Sequence, residues 1–297
     1  MSVARVVAQA KVNLALRILA REATGYHQIE TLFQRLALGD LVSVREAPGR
    51  ALDVRFADGA RTVDLGPVEN NLAWRAAEAY AAIARWPAGF AVEIEKQIPV
   101  GGGLGGGSAD AAAVLRALDA LAPQPLGTSA LVDIAARLGA DVAFLTSPSE
   151  LAIAWGRGDR MLDLPPLPVA PVLLVVPDVG VTTAQASAAL AEHRAASGAT
   201  SPSAWRSPRS LGGWSAVAAD AVNDFEPVVF DMHPALAKVR AQLAALPRAV
   251  LALMSGSGST LFAVLDGADG GAGLLALPPG WQMTRTATAP QAPVVLI

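Results

Sequence analysis

Cysteine is absent from this 297-residue chain, which excludes disulfides, thiolate metal sites and a cysteine nucleophile. Histidine is scarce: His27, His193 and His233 lie far apart, with no metal-ligand spacing. No resident metal site is expected. Aromatic residues make up only 5%, so packing falls to aliphatic side chains and alanine. Positive charge is not in surplus. A formal net charge of −3 and a pI near 5.6 argue against general nucleic-acid binding, which needs a basic face. An anionic ligand would need local cationic side chains and backbone dipoles instead. Long apolar runs are missing too. The stretch Val169–Val181 is broken by Pro171, Pro177 and Asp178. The first residues, Met1–Leu16, carry no long apolar core and no clear cleavage site. A soluble, cytoplasmic protein is expected, with no nucleic-acid or membrane partner. What remains is 53% hydrophobic, enough to bury a sizeable core in one large or two small domains.

Glycine is abundant in one place. Pro99, Val100, Gly101, Gly102, Gly103, Leu104, Gly105, Gly106, Gly107 and Ser108 form a run in which six glycines surround one leucine. Upstream, Phe90, Val92, Ile94 and Ile98 alternate with Glu93, Glu95 and Gln97, as in a strand. Downstream, Ala111, Val114, Leu115, Leu118 and Leu121 fall at helical spacing. The glycines therefore join a strand to a helix N-terminus, with Ser108 placed as its cap. Such a junction offers unpaired N–H groups and the positive end of a helix dipole. Glycine lets the backbone approach an anion closely. A phosphate chain is the natural ligand. The run is not a Walker loop, because no Gly-Lys-Ser/Thr ends it. It is a poor dinucleotide fingerprint as well, because the strand before it has a polar face.

Elsewhere, Val12, Leu14, Leu16 and Ile18 alternate with polar neighbours, so Lys11 and Asn13 share one strand face. Leu41–Arg45 and Leu52–Phe56 read as strands. Asn71 can cap a helix bearing Leu72, Ala76, Ala79 and Ile83. Thr128 or Ser129 can cap another, ended by Gly139. The proline-rich stretch Leu164–Pro171 divides the chain into 1–163 and 164–297. Beyond it come strand Val172–Val176, a helix from Thr183, helix Pro234–Leu246, and strands at Ala249–Leu253, Leu261–Leu265 and Val294–Ile297. Ala195–Gly213, rich in Ser, Ala, Pro and Arg, reads as a mobile loop. Strands and helices do not strictly alternate, which favours an α+β fold.

Three motifs resemble those of the GHMP kinases (galactokinase, homoserine, mevalonate and phosphomevalonate kinases). They are Ala8–Leu16, the glycine run, and Leu253–Phe262 with its Ser255–Ser259 turn. One branch, whose members phosphorylate a CDP-linked methylerythritol in the non-mevalonate route to isoprenoids, is matched more widely. The matching segments are Gly25-Tyr26-His27, Glu30–Gln34, Gly39-Asp40, Asn71-Leu72, Gly139–Val142, Gly156–Asp159, Pro177–Thr183 and Asn223–Glu226. The resemblance implies a two-domain α+β fold: an N-terminal domain like domain 2 of ribosomal protein S5 and a ferredoxin-like C-terminal domain, with the site between them. It implies ATP and Mg²⁺ as cofactors and a small CDP-linked substrate. A homoserine- or mevalonate-type kinase and a non-catalytic nucleotide-binding regulator are the alternatives. Gly25-Tyr26-His27 argues against the first, and the retained Lys11 and Asp141 against the second.

Roles follow from the resemblance, each beside a plainer structural reading. Asp141, otherwise a capping aspartate, takes the proton of the acceptor hydroxyl. Lys11, otherwise a solvated strand lysine, stabilises the developing alkoxide. Asn13 bonds the substrate hydroxyls. Tyr26 stacks on the cytosine and His27 reads its edge. Phe33 belongs either to that pocket or to the core. Thr183 touches the same substrate. Pro99–Ser108 cradles the phosphates, with Lys96 and Asn71 toward adenine and ribose. Gly256 and its turn form a second backbone cradle. The Ser108 hydroxyl can meet a phosphate or Mg²⁺. Asp110 stands where the branch often has asparagine and either reaches the metal or faces away. Ala143 stands where the family often has proline.

Overall fold

The computed structural model describes residues 2–21, 27–57, 65–158, 160–198, 211–267, 273 and 275–297. Two long strands, β1 (Val3–Arg21) and β2 (His27–Glu46), pair antiparallel and form the spine. Around them, β3 (Ala51–Phe56), β4 (Phe90–Lys96), β5 (Leu151–Gly156), β6 (Arg160–Asp163), β8 (Val222–Asn223) and β12 (Val295–Leu296) complete an eight-stranded sheet among the described residues. Glu93 and Glu95 of β4 face solvent, while Val92, Ile94 and Lys96 are buried.

Helices α1 (Leu72–Ala84), α2 (Gly106–Leu121), α3 (Thr128–Leu138) and α4 (Ala140–Thr146) accompany this sheet, and α2 packs directly on β1 and β2. Asn71 caps α1 by accepting from the Ala73 N–H at 2.9 Å. Other cap expectations need correction. Helix α2 starts two residues before Ser108, because Gly105 takes the cap position with φ 73°. Only glycine holds that left-handed turn without strain, so Ser108 sits inside the first helical turn. Gly127, not Thr128 or Ser129, caps α3. Ile83 is 47% exposed and turns away from the core.

The second sheet runs β11 (Gln282–Ala287), β7 (Pro171–Val176), β10 (Leu261–Leu265), β9 (Ala249–Met254), all antiparallel. In chain order this is fourth, first, third, second, the ferredoxin-like arrangement. Its outer face carries α5 (Thr183–Ser197), α7 (Glu226–Met232) and α8 (Pro234–Ala244). A short α6 (Trp214–Asp220) precedes β8. The expected loop Ala195–Gly213 is cut back at its start, since α5 runs to Ser197 behind a Thr182–Gln185 capping box. Residues 199–210 lie outside the described residues.

Alternation along the second sheet makes two cores. Val172, Leu174, Leu253, Phe262 and Val264 join the core built on the first sheet and α2. Leu173, Val175, Ala252, Met254 and Leu261 face the other way, against Ala186, Val229, Leu236 and Leu243 of the outer helices. Leu16 and Ile18 of β1 belong to this second core. Strand β1 therefore spans both.

Candidate active site

Three elements meet at the middle of β1. The ladder to β2 is irregular on both sides of Lys11–Asn13. Irregularities of this kind re-aim side chains, and here the Lys11 N–H donates to the Leu104 carbonyl of the glycine run at 3.0 Å. On the other side, Ser255 Oγ donates to the Gly103 carbonyl at 2.9 Å, and the Thr260 N–H donates to Gly102 at 3.2 Å. The first and third sequence motifs thus clasp the second. Gly103 (φ 78°) leaves no room for a side chain, because a Cβ there would collide with the Ser255 carbonyl. At Gly105 (φ 73°) a Cβ would press on the Lys11 stem, 3.0 Å from Cγ.

Two cavities share this loop, each of about 260 Å³. The first is lined by Pro99 through Ser108, with Asn71, Lys96 and Asp110. Every residue expected on the nucleotide side is in it. The second is lined by Lys11, Asn13, Phe33, Asp141, Thr183 and Gly256, among others, and shares Gly103 and Gly105 with the first. Of the residues expected on the acceptor side, Tyr26 lies outside the described residues, and for His27 only the backbone, at the start of β2, is described.

Lys11 Nζ lies 3.2 Å from Asp141 Oδ2 and donates to Asn13 Oδ1 at 2.8 Å. Both line the cavity, and at 33% exposure against 4% the aspartate is the more open member of the pair. Asn13 is fixed in turn: its Nδ2 donates to Thr31 Oγ1, which donates to the Ala15 carbonyl. Phe33 is buried, stacks on Phe144 and approaches Lys11 Nζ at 5.7 Å, so it is core and cavity wall at once. Thr183 and Ser257 share a hydrogen bond of 2.9 Å between their hydroxyls. Asn223 Nδ2 holds the Ser255 turn through the Met254 and Gly256 carbonyls. Asn223 carried no expected role, although Asn223–Glu226 was among the matching segments.

Lys96 does not reach into open space. Its ammonium lies between Asp40 and Asp110, 2.7 Å from Asp110 Oδ2, and all three side chains are buried. Asp40 Oδ1 also accepts the N–H groups of Gln97 and Ile98, at 2.5 and 2.7 Å. The trio therefore ties the entry of the glycine run to the helix at its exit. Burial pulls the Lys96 ammonium down, but Asp110 and Asp40 outweigh it and the group is raised. Burial pushes Asp110 up; Lys96 opposes the rise and Asp40 adds to it. Asp110 Oδ1 is buried with no protein partner, beside the first cavity.

Comparison with known proteins places this geometry. Residues 71–149 match the model of the GHMP kinases N terminal domain, and residues 207–278 that of the GHMP kinases C terminal. The chain is 37% identical over 257 residues to a 4-diphosphocytidyl-2-C-methyl-D-erythritol kinase of Solibacter usitatus, covering 86% of this chain and 79% of that protein. A crystal structure of 4-(cytidine 5'-diphospho)-2C-methyl-D-erythritol kinase superposes with TM-score 0.74 at 32% identity, covering 96% of this chain and 99% of the other. A homoserine kinase from Cytophaga hutchinsonii superposes with TM-score 0.71 at 17% identity, over 100% and 98% of the two chains, and shares the fold. The chain belongs to the 4-diphosphocytidyl-2-C-methyl-D-erythritol kinase family of the GHMP kinases.

Proposed function

We propose that this protein transfers the γ-phosphoryl group of ATP to the 2-hydroxyl of 4-diphosphocytidyl-2-C-methyl-D-erythritol, a step of the non-mevalonate route to isoprenoid precursors. The observation that carries the proposal is the Lys11–Asp141 pair, 3.2 Å apart, on a cavity that shares its glycine wall with a second cavity. Nucleotide and acceptor would approach each other across Gly103 and Gly105.

The chemistry asks for positioning and charge stabilisation. Asp141 takes the hydroxyl proton as the oxygen attacks the γ-phosphorus, and the bond to the β,γ-bridging oxygen breaks to release ADP. Lys11, its ammonium desolvated and already oriented by Asn13, stabilises the alkoxide as it develops. Loop N–H groups and the N-terminus of α2 bind the phosphates. The unpartnered Asp110 Oδ1 beside the glycine-lined cavity fits a phosphate chain arriving with its cation. Among the described residues no group of three or more His, Cys, Asp or Glu could hold a metal. Mg²⁺ would then come on the nucleotide phosphates, beside Ser108 and Asp110, and would neutralise charge there. Tyr26 and His27 supply stacking and edge recognition for the cytosine. Among the described residues no helix is long and apolar enough to cross a membrane. A cytoplasmic enzyme acting on a dissolved substrate is the corresponding proposal.

The test is ADP release with the cytidine-linked acceptor, its uridine analogue, homoserine and mevalonate, in wild type and Asp141→Asn. Turnover should be confined to the cytidine-linked acceptor. It should fall about 10²–10⁴-fold in the variant, with ATP binding retained. Turnover of homoserine or mevalonate would reject the substrate, and native turnover in Asp141→Asn would reject the base.

A further inference from the structure

The Lys11–Asp141 distance must be held by something other than its own attraction. Asp141 rides on α4, which is seven residues long. A helix that short has little stability of its own, and its last carbonyls lack partners within the helix. They find them in Arg35, a side chain with 0% exposure. Its Nη2 donates to the carbonyls of Phe144, Leu145 and Ser147 at 2.9, 3.1 and 2.8 Å. Its Nε donates to Ser149 at 2.8 Å. Arg116 of α2 adds bonds from its Nη2 to Thr146 and Ser147 at 2.9 and 2.5 Å. The planar fork of a guanidinium can serve several diverging carbonyls at once, which a lysine cannot.

Arg35 is also tied to the lysine. In the β1–β2 ladder it is the direct partner of Lys11. Its guanidinium lies 5.1 Å from the Phe144 ring centre, Phe144 stacks on Phe33 at 4.9 Å, and Phe33 approaches Lys11 Nζ. We propose that Arg35 is a positioning residue for the Lys11–Asp141 pair, fixing the helix of the aspartate to the strand position of the lysine. Plain cohesion accounts poorly for such a residue. Burial, with Arg116 close by, pulls the Arg35 guanidinium down to about 9, a sign of how costly the buried charge is. A leucine would avoid that cost but would take away the donor to the Leu145 and Ser149 carbonyls, and one of the donors to Phe144 and Ser147, loosening the helix end.

The proposal rests on Asp141 being the base, and the experiment separates the two. Arg35→Met and Arg35→Lys are assayed for kcat, for KM of ATP and for equilibrium ATP binding, well below their melting temperatures. Displacing a reacting group by about 1 Å can cost about 10²-fold in rate. Arg35→Met should lose on that order in kcat and Arg35→Lys less, while KM and affinity for ATP stay near native. The folded variant is then combined with Asp141→Asn. If Arg35 acts by placing Asp141, its loss should vanish once the carboxylate is gone. Additive losses, or native kcat in whichever Arg35 variant folds, would overturn the proposal. Native turnover in Asp141→Asn alone would overturn the base assignment, and Arg35 would still be judged by the kcat of its own variants.

Discussion

Three buried charges at the root of the glycine run decide whether that loop keeps its shape. Asp40, Lys96 and Asp110 hold one another with almost no solvent. Removing one member of a buried pair leaves an uncompensated charge, at a cost of about 3–5 kcal/mol. Lys96→Met should therefore destabilise the fold by about that amount in urea unfolding, because two carboxylates would be left facing each other. Asp110→Asn should cost far less, since the amide oxygen still accepts from Lys96 and the trio becomes neutral. Equal losses in the two variants would mean that volume, not charge, is what Lys96 supplies.

The glycine run works as a unit with the strands on either side of it. Its backbone is held by Lys11 from one side and by Ser255 and Thr260 from the other. Its conformation is thus set before any ligand arrives. A side chain at Gly105 would need left-handed backbone and would push on Lys11. Gly105→Val should leave the circular dichroism spectrum intact but misdirect the loop N–H groups. Losing one charge-assisted hydrogen bond, worth about 1.5–3 kcal/mol, lowers ATP affinity roughly ten- to a hundredfold. Calorimetric titration with a non-hydrolysable ATP analogue reads this directly. Unchanged affinity in a folded variant would place the phosphates elsewhere.

The two sheets do not make independent bodies. Strands β8 and β12, from the C-terminal half, pair with β1. One face of the second sheet completes the first core, and Leu16 and Ile18 complete the second. We therefore expect a fragment ending at Asp163 to lack a cooperative thermal transition, since the first core would lose Val172, Leu174, Leu253, Phe262 and Val264. A native-like transition in that fragment would show that the N-terminal half folds alone. The cavity that holds Asp141 on one wall and Thr183 and Gly256 on the other exists only because the halves are joined in this way.

Much of the site was legible because it is local. Alternation in β4, the glycines and the following helical stripe identify a strand–glycine–helix junction without any coordinates. The pairing of Lys11 with Asp141 came only from the resemblance to the GHMP kinases, and the structure brings the two within 3.2 Å. Lys96 was expected toward adenine and ribose; its step with Val92 and Ile94 on the inner face of β4 is the local signal of its burial, and a charge there demands a partner. Which partner it takes was not readable: Asp40 lies 56 residues away, and no local rule links the two. Arg35 is the sharper case. Its neighbours in sequence suggest only a strand, and its role appears when the chain brings residues 144–149 over it. The start of α2 shows the same limit, because backbone torsion at Gly105, and not the nearest serine, decided where the helix begins. Residue type and spacing specify which chemistry the chain can perform. The distance between Lys11 and Asp141 is set by contacts between segments far apart in sequence, whose meeting depends on how both sheets pack around β1.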